Sequence, residues 1–205
     1  MEFTIGIITF VYNIAIVKHG YGEIGLAAYL LIGYLMLIIL TLFLGMAEGL
    51  QPVFSYFTGS GETARSNDMR RFAARVFLIV GIVCYLLIVP FSRYFFSIFN
   101  PEDTELIAFT AEKSIWYFCA FFLAGYNILM ISFWQSTRCT AKALTISLSR
   151  SVICLPILVL ILPHILGENI IWLCHSLSEA LTACTAFVLL ARQKSKNTSA
   201  TSPMV

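Results

Sequence analysis

Of the 205 residues, 59% are hydrophobic and 12% charged, and 13 Lys and Arg against 11 Asp and Glu give a net charge of +2. Soluble domains carry about 25% charged residues, so the composition excludes an ordinary soluble domain and identifies an integral membrane protein. The small charge imbalance, spread over short connections with no basic block, excludes nucleic acid as a partner.

A helix needs about 20 apolar residues to cross the hydrocarbon core, and six segments approach or exceed that length, at about 3–17, 24–58, 72–99, 104–137, 144–162 and 169–191. The fold class expected is all-α: one lobe of six transmembrane helices over 1–192, followed by a small, polar, disordered cytoplasmic tail at 193–205. Thr58-Gly59-Ser60-Gly61 reads as a helix stop. In Asn100-Pro101-Glu102-Asp103, Asn100 reads as an N-cap with Pro101 at the first helical position. The six cysteines, at 84, 119, 139, 154, 174 and 184, have no metal-ligand spacing and read as small core residues.

Orientation follows from the basic residues. With a cytoplasmic N-terminus, the inside connections hold Arg65, Arg70, Arg71, Arg75, Arg138, Lys142, Arg150, Arg192, Lys194 and Lys196, and the outside ones only Lys18, Arg93 and Lys113. That asymmetry places both termini in the cytoplasm. The opening segment lacks the basic start and small-residue cleavage site of a signal peptide.

Within the spans, Glu48 stands out. It lies about ten residues from the boundary near Thr58, about 15 Å at 1.5 Å per residue and so near the midplane. A carboxylate there is disfavoured by roughly 2.5–3.5 kcal/mol and normally faces a bundle interior or a water path. Gln51 and Ser55 share its face, Gly45 and Gly49 form a small-xxx-small edge, and Pro52 kinks the helix and frees a backbone carbonyl beside the carboxylate. Carboxylate, amide and carbonyl together suit a proton or a loosely held Na+, with no tightly bound metal. The other reading is a structural carboxylate bonded to a neighbouring helix.

The last span offers a second pair: His175 and Glu179, four residues apart on one face, could exchange a proton near neutral pH or merely satisfy each other between helices. Glu112 and Lys113 belong to the outer interface, and Trp116, Tyr117 and Trp134 to interfacial belts. Tyr12 and Tyr126 lie deeper and could line a cavity for flat organic cations. Gln135 and Arg150, near the cytoplasmic ends, suit snorkelling or capping as well as substrate contact.

The run Gly45-Met46-Ala47-Glu48-Gly49-Leu50-Gln51-Pro52, followed by Ser55-Tyr56 and a glycine-rich turn with downstream arginines, resembles the second helix and loop of a lobe in the multidrug and toxic compound extrusion (MATE) family. Phe133-Trp134-Gln135 with Lys142, then Ser147-Leu148-Ser149-Arg150 and Pro156, is similar to the penultimate-helix pattern, Ile171-Trp172 with Glu179 to the last helix, and Asn13 fits the first. The spacing suits the carboxy-terminal lobe of a MepA-like member over about 5–192, with Ser176 where the family often has proline.

The resemblance implies an antiporter that exports amphipathic, often cationic, drugs across the plasma (inner) membrane in exchange for Na+ or H+, with no cofactor. By that resemblance Glu48 and Gln51, with His175 and Glu179 in reserve, would couple the cation; Tyr12, Asn13, Tyr56, Tyr126 and Gln135 would line the substrate cleft; and Pro52 and Pro156 would kink their helices. The family builds its cleft between two lobes, so a fragment or a half-size chain is expected, partnered by the missing amino-terminal lobe or a second copy. A lipid-linked oligosaccharide flippase of the wider superfamily and a non-transporting remnant are the alternatives. An enzyme is not expected, since no nucleophile with base, metal set or phosphate loop appears.

Overall fold

The structure, a computed structural model, describes residues 2–200. Helices follow one another as α1 (Glu2–Lys18), α2 (Gly22–Gly59), α3 (Thr63–Ile88), α4 (Ser92–Phe99), α5 (Thr104–Phe118), α6 (Phe121–Ser136), α7 (Thr140–Leu148), α8 (Leu155–Leu166) and α9 (Cys174–Ala200). Ser149–Cys154, between α7 and α8, is a π-helical turn, and Glu168–Trp172 is a short 3-10 helix before α9. Among the described residues there is no strand.

Several of these run together as single crossings. The rod Thr140–Leu166 passes through the π turn unbroken, while α5 and α6 form one crossing bent by 48°. With α2, α3 and α9 that makes five segments long and apolar enough to cross a membrane, and α1, an apolar helix of 17 residues, is the shorter sixth segment, roughly as the sequence indicates. Long apolar faces on the outer helices, such as Ile79, Leu86 and Leu87 of α3 and Ile157, Leu160 and Ile161 of α8, stay exposed, as lipid-facing surfaces must.

Boundaries differ from the expected ones for local reasons. The third crossing begins at Thr63, inside the arginine-bearing stretch, and ends at Ile88; Ser92–Phe99 is then a separate short helix. The fourth is elbowed at Cys119-Ala120 instead of running straight. Its cap is Asp103, not Asn100: the Asp103 carboxylate accepts the Leu106 N–H at 2.9 Å, the N-cap to N3 geometry that satisfies an orphan donor. Asp103→Ala should therefore lower stability by about 0.5–2 kcal/mol, readable as a reduced melting temperature in detergent, whereas Asn100→Ala should leave it nearly unchanged. The last helix continues to Ala200, into the segment expected as a tail; residues 201–205 of that tail lie outside the described residues.

The stop after α2 forms as the sequence indicates. Gly61 takes φ +75°, its N–H bonds Thr58 O at 3.3 Å and the Glu62 N–H bonds Phe57 O at 2.9 Å. This is a Schellman closure, which needs a left-handed residue at that position.

The core is organised around α6, which packs on α2, α3, α7 and α9 and buries residues on most of its circumference, Phe121, Ala124, Asn127, Leu129, Met130 and Trp134 among them. Two glycines allow this density: a Cβ on Gly81 of α3 would lie 2.5 Å from the Phe121 carbonyl oxygen, and one on Gly125 would lie 2.8 Å from the Phe43 ring. Gly45 and Gly49, expected to admit a neighbouring backbone, have nothing within 4 Å of such a Cβ. Their edge is open within this bundle.

Of the aromatic residues expected at interfaces, Trp116 is 54% exposed, whereas Tyr117 and Trp134 are buried within the bundle. Trp134 donates its indole N–H to Gln193 Oε1 at 3.4 Å, and Lys142 Nζ reaches the same oxygen at 2.7 Å. At the other end of the bundle, Asn169 Oδ1 accepts from Lys113 Nζ at 2.9 Å and from the Tyr21 hydroxyl at 3.1 Å. These contacts pin α9, and the 3-10 helix that leads into it, to the helices around them. All six cysteines are free; Cys174 is buried, while Cys184 is exposed and is not a core residue.

Candidate functional site

Two places gather polar chemistry inside this apolar bundle. The first is a stripe on α2. Tyr34, Thr41, Glu48 and Ser55 recur every seven residues, a spacing that drifts only about 20° per repeat around a helix, and all four are exposed. Gly45, Gly49, Pro52 and Tyr56 fall on or beside the same strip and are exposed too. Glu48 makes no hydrogen bond or ion pair among the described residues, so it is not a structural carboxylate bonded to a neighbouring helix of this bundle.

The backbone behind Glu48 is nonetheless anchored. Ser132 of α6 donates its hydroxyl to the Ala47 carbonyl at 2.9 Å. One turn further, Pro52 offers no N–H to the Glu48 carbonyl, although α2 runs without interruption past it. Gln51 is half-buried and turns partly away from the strip.

The second place lies between α6, α9 and the π turn. Glu179 is fully buried. Arg150 Nε donates to Glu179 Oε1 at 2.6 Å, and Asn127 Nδ2 donates to Oε2 at 2.7 Å and to the Glu179 main-chain carbonyl at 2.9 Å. The Ser178 hydroxyl donates to the Arg150 carbonyl at 3.1 Å. His175 stands one turn from Glu179, its Nε2 3.9 Å from Oε1, with its ring stacked at 4.7 Å on Tyr117.

Sequence reasoning thus found His175 and Glu179 but missed the two residues that bind the carboxylate. Arg150, which the sequence suggests as a snorkelling or capping residue, lies ten residues into the rod that begins at Thr140, and its side chain is only 15% exposed. The signal available was the position of Asn127, a buried amide in an otherwise apolar stretch, which required a polar partner. Removing Arg150 from the inside loops leaves the basic asymmetry between the two ends intact.

Of the residues expected to line a cleft, Tyr12 and Tyr126 pack within this bundle on different partners. Tyr12 is fully buried, stacked at 4.7 Å on Tyr29, its hydroxyl donating to the Ile171 carbonyl at 3.5 Å. Tyr126 packs elsewhere, on Phe187 at 5.0 Å, so no shared aromatic cavity forms between the two within this bundle. Asn13, Tyr56 and Gln135 are exposed. Pro156 follows the π turn in the first turn of α8. A cavity of about 610 Å³ opens at the joint of α3 and α4 with α5, lined in part by Arg93, Glu105 and Glu112, and includes none of the expected cleft residues. Among the described residues no three His, Cys, Asp or Glu side chains converge to hold a metal ion.

A bundle of five apolar crossings and one shorter helix, with one crossing bent, a buried ion pair and one polar face left open, has the architecture of a membrane-transporter lobe. The MatE family model matches residues 2–160, and the chain belongs to this family, the one its sequence resembles. Solved structures agree in fold. An outward-facing multidrug resistance MATE family transporter of the MOP superfamily is similar with a TM-score of 0.86 at 16% identity over 95% of this chain, and a MATE in the bent conformation with 0.84 at 18% over 98%. A MATE in complex with MaL6 matches at 0.84 and 16% over 95%. The chain spans 44% of each of those chains. No curated protein sequence matches.

Proposed function

We propose that this chain is one lobe of a cation-coupled antiporter of the plasma membrane, with its termini in the cytoplasm, exporting amphipathic and often cationic organic compounds in exchange for Na+ or H+. A second lobe, either an amino-terminal one or another copy of this chain, completes the cleft. The observation that carries this reading is the unpartnered Glu48 on the open polar strip of α2. Left against lipid, that carboxylate would be disfavoured by roughly 2.5–3.5 kcal/mol, so the strip is stable only against water or another protein surface. A strip that borders a water-filled cleft puts the carboxylate where ions and solutes pass. Gln51 and the free carbonyl near Pro52 are the further ligands available to the coupling ion.

Arg150, a basic side chain that enters the bundle, is engaged by Glu179 and so is not free to receive a lipid pyrophosphate, which counts against the flippase reading. The test is ethidium efflux from cells producing the chain together with its second lobe. Glu48→Gln keeps shape and removes charge; efflux is expected to fall to background, while Glu112→Gln leaves it unchanged. Unimpaired efflux in Glu48→Gln would sink this assignment.

A further inference from the structure

The buried cluster around Glu179 contains one side chain that its ion pair does not use. His175 is 7% exposed, yet neither ring nitrogen has a hydrogen-bond partner among the described residues. Asn127 Oδ1 is likewise unpaired. Neutral imidazole carries one donor and one acceptor, and burying both unsatisfied is unfavourable, so hydrogen bonding within this bundle does not account for a histidine at this position.

The geometry shows a competition. Glu179 Oε1 accepts the Arg150 N–H at 2.6 Å, and the same oxygen is the one nearest His175 Nε2, at 3.9 Å. At 3.9 Å the imidazole is about 1 Å short of hydrogen-bond range. With His175 neutral, the cluster of Arg150 and Glu179 sums to zero charge. The group stacked on His175 is the phenol of Tyr117 on α5; Tyr12 on α1 and Tyr29 on α2 pack on that phenol in turn, the Asn127 amide on α6 meets the same carboxylate, and Cys174 is the neighbour in the chain. None of them supplies a further negative charge. A proton added at His175 therefore leaves one positive charge in excess in a low-dielectric interior, where an uncompensated charge is strongly disfavoured. The balance is restored if Arg150 yields the carboxylate to the imidazolium and withdraws.

Arg150 is positioned to do so. It sits in the π turn Ser149–Cys154, retains 15% side-chain exposure, and its main-chain carbonyl is held by Ser178 of the same helix that carries Glu179. A π turn holds one residue more than the α-helix it interrupts. Its relaxation to α geometry rotates α8 relative to α7 by about 100°, one residue's share of a 3.6-residue turn.

We propose that His175 is a proton-binding site which, when loaded, takes Glu179 from Arg150 and releases the π turn, making the rod of α7 and α8 a proton-operated joint. This does not rest on the role given to Glu48, and its test involves no transport. In the full chain with its native cysteines replaced, spin labels at Leu144→Cys and Ile157→Cys, both exposed positions on either side of the turn, report the joint in liposomes by pulsed dipolar spectroscopy. As pH falls from about 8 to about 3.5, through and below the range in which histidine ordinarily titrates, a second inter-label distance several ångströms from the first is expected to appear. His175→Phe, which keeps a ring on Tyr117, and His175→Gln should each retain the high-pH distance throughout, and Arg150→Gln should show the second distance at every pH. A distribution unchanged by pH in the chain with His175 overturns the proposal whatever the variants do, as does a shift that survives in His175→Phe.

Discussion

Arg150→Ala is expected to destabilise the bundle by about 3–5 kcal/mol, the loss typical when one member of a buried ion pair is removed and the other stays behind. Glu179 is fully buried, and without the guanidinium its carboxylate keeps only the Asn127 amide. Glu179→Ala should be comparably harmful, because it strands a cation at the same depth. The double variant Arg150→Met/Glu179→Leu removes both charges and should recover most of the loss, since apolar replacement of a whole buried pair is often neutral or better. Unfolding in detergent, followed through the buried indoles Trp134 and Trp172, measures all three. Equal instability of the double and single variants would mean that packing, not charge, dominates this contact.

Gly81→Ala is the second large effect expected. One methyl group at that position would stand 2.5 Å from a backbone oxygen of α6, and backbone, unlike a side-chain tip, cannot turn aside. α3 must move away from α6, losing contact along the interface; overpacking of this kind reduces stability by about 1–3 kcal/mol or more. Gly45→Ala and Gly49→Ala are the controls. Both meet open space, so they should leave the melting temperature of the isolated chain unchanged or raise it slightly, helix propensity favouring Ala over Gly by roughly 1 kcal/mol. If alanine at 45 or 49 instead abolishes efflux without affecting melting, close approach at that edge belongs to contact with the second lobe.

The sequence carried the number of crossings because length and apolarity are local properties, and Gly61 marked a stop because only a left-handed residue closes α2 there. It misled where a choice depended on neighbours distant in the chain. Asn100 and Asp103 are both good caps in isolation, and what selects Asp103 is where the helix meets the rest of the bundle. Tyr117 and Trp134 belong to residue types that favour interfaces, yet α6 and the elbow draw them inside. Arg150 could be placed only once the partner on α9 was known, because nothing nearby in sequence distinguishes a guanidinium that snorkels from one that is paired. Glu48 was legible as an oddity, but whether its face is covered is a fact of assembly that no helical pattern encodes.

The bend between α5 and α6 has its own consequence. In a straight helix the Ala120 N–H would bond the Trp116 carbonyl; here it bonds Tyr117 O at 3.3 Å, and the Ser176 hydroxyl of α9 supplies hydrogen to the Trp116 and Tyr117 carbonyls at 2.8 and 3.2 Å. The elbow is therefore propped from outside by a single hydroxyl belonging to the final helix. A slide of α9 by a fraction of a turn would remove that prop and favour straightening of the fourth crossing, so the last helix acts as a lever on a partner sixty positions earlier in the chain.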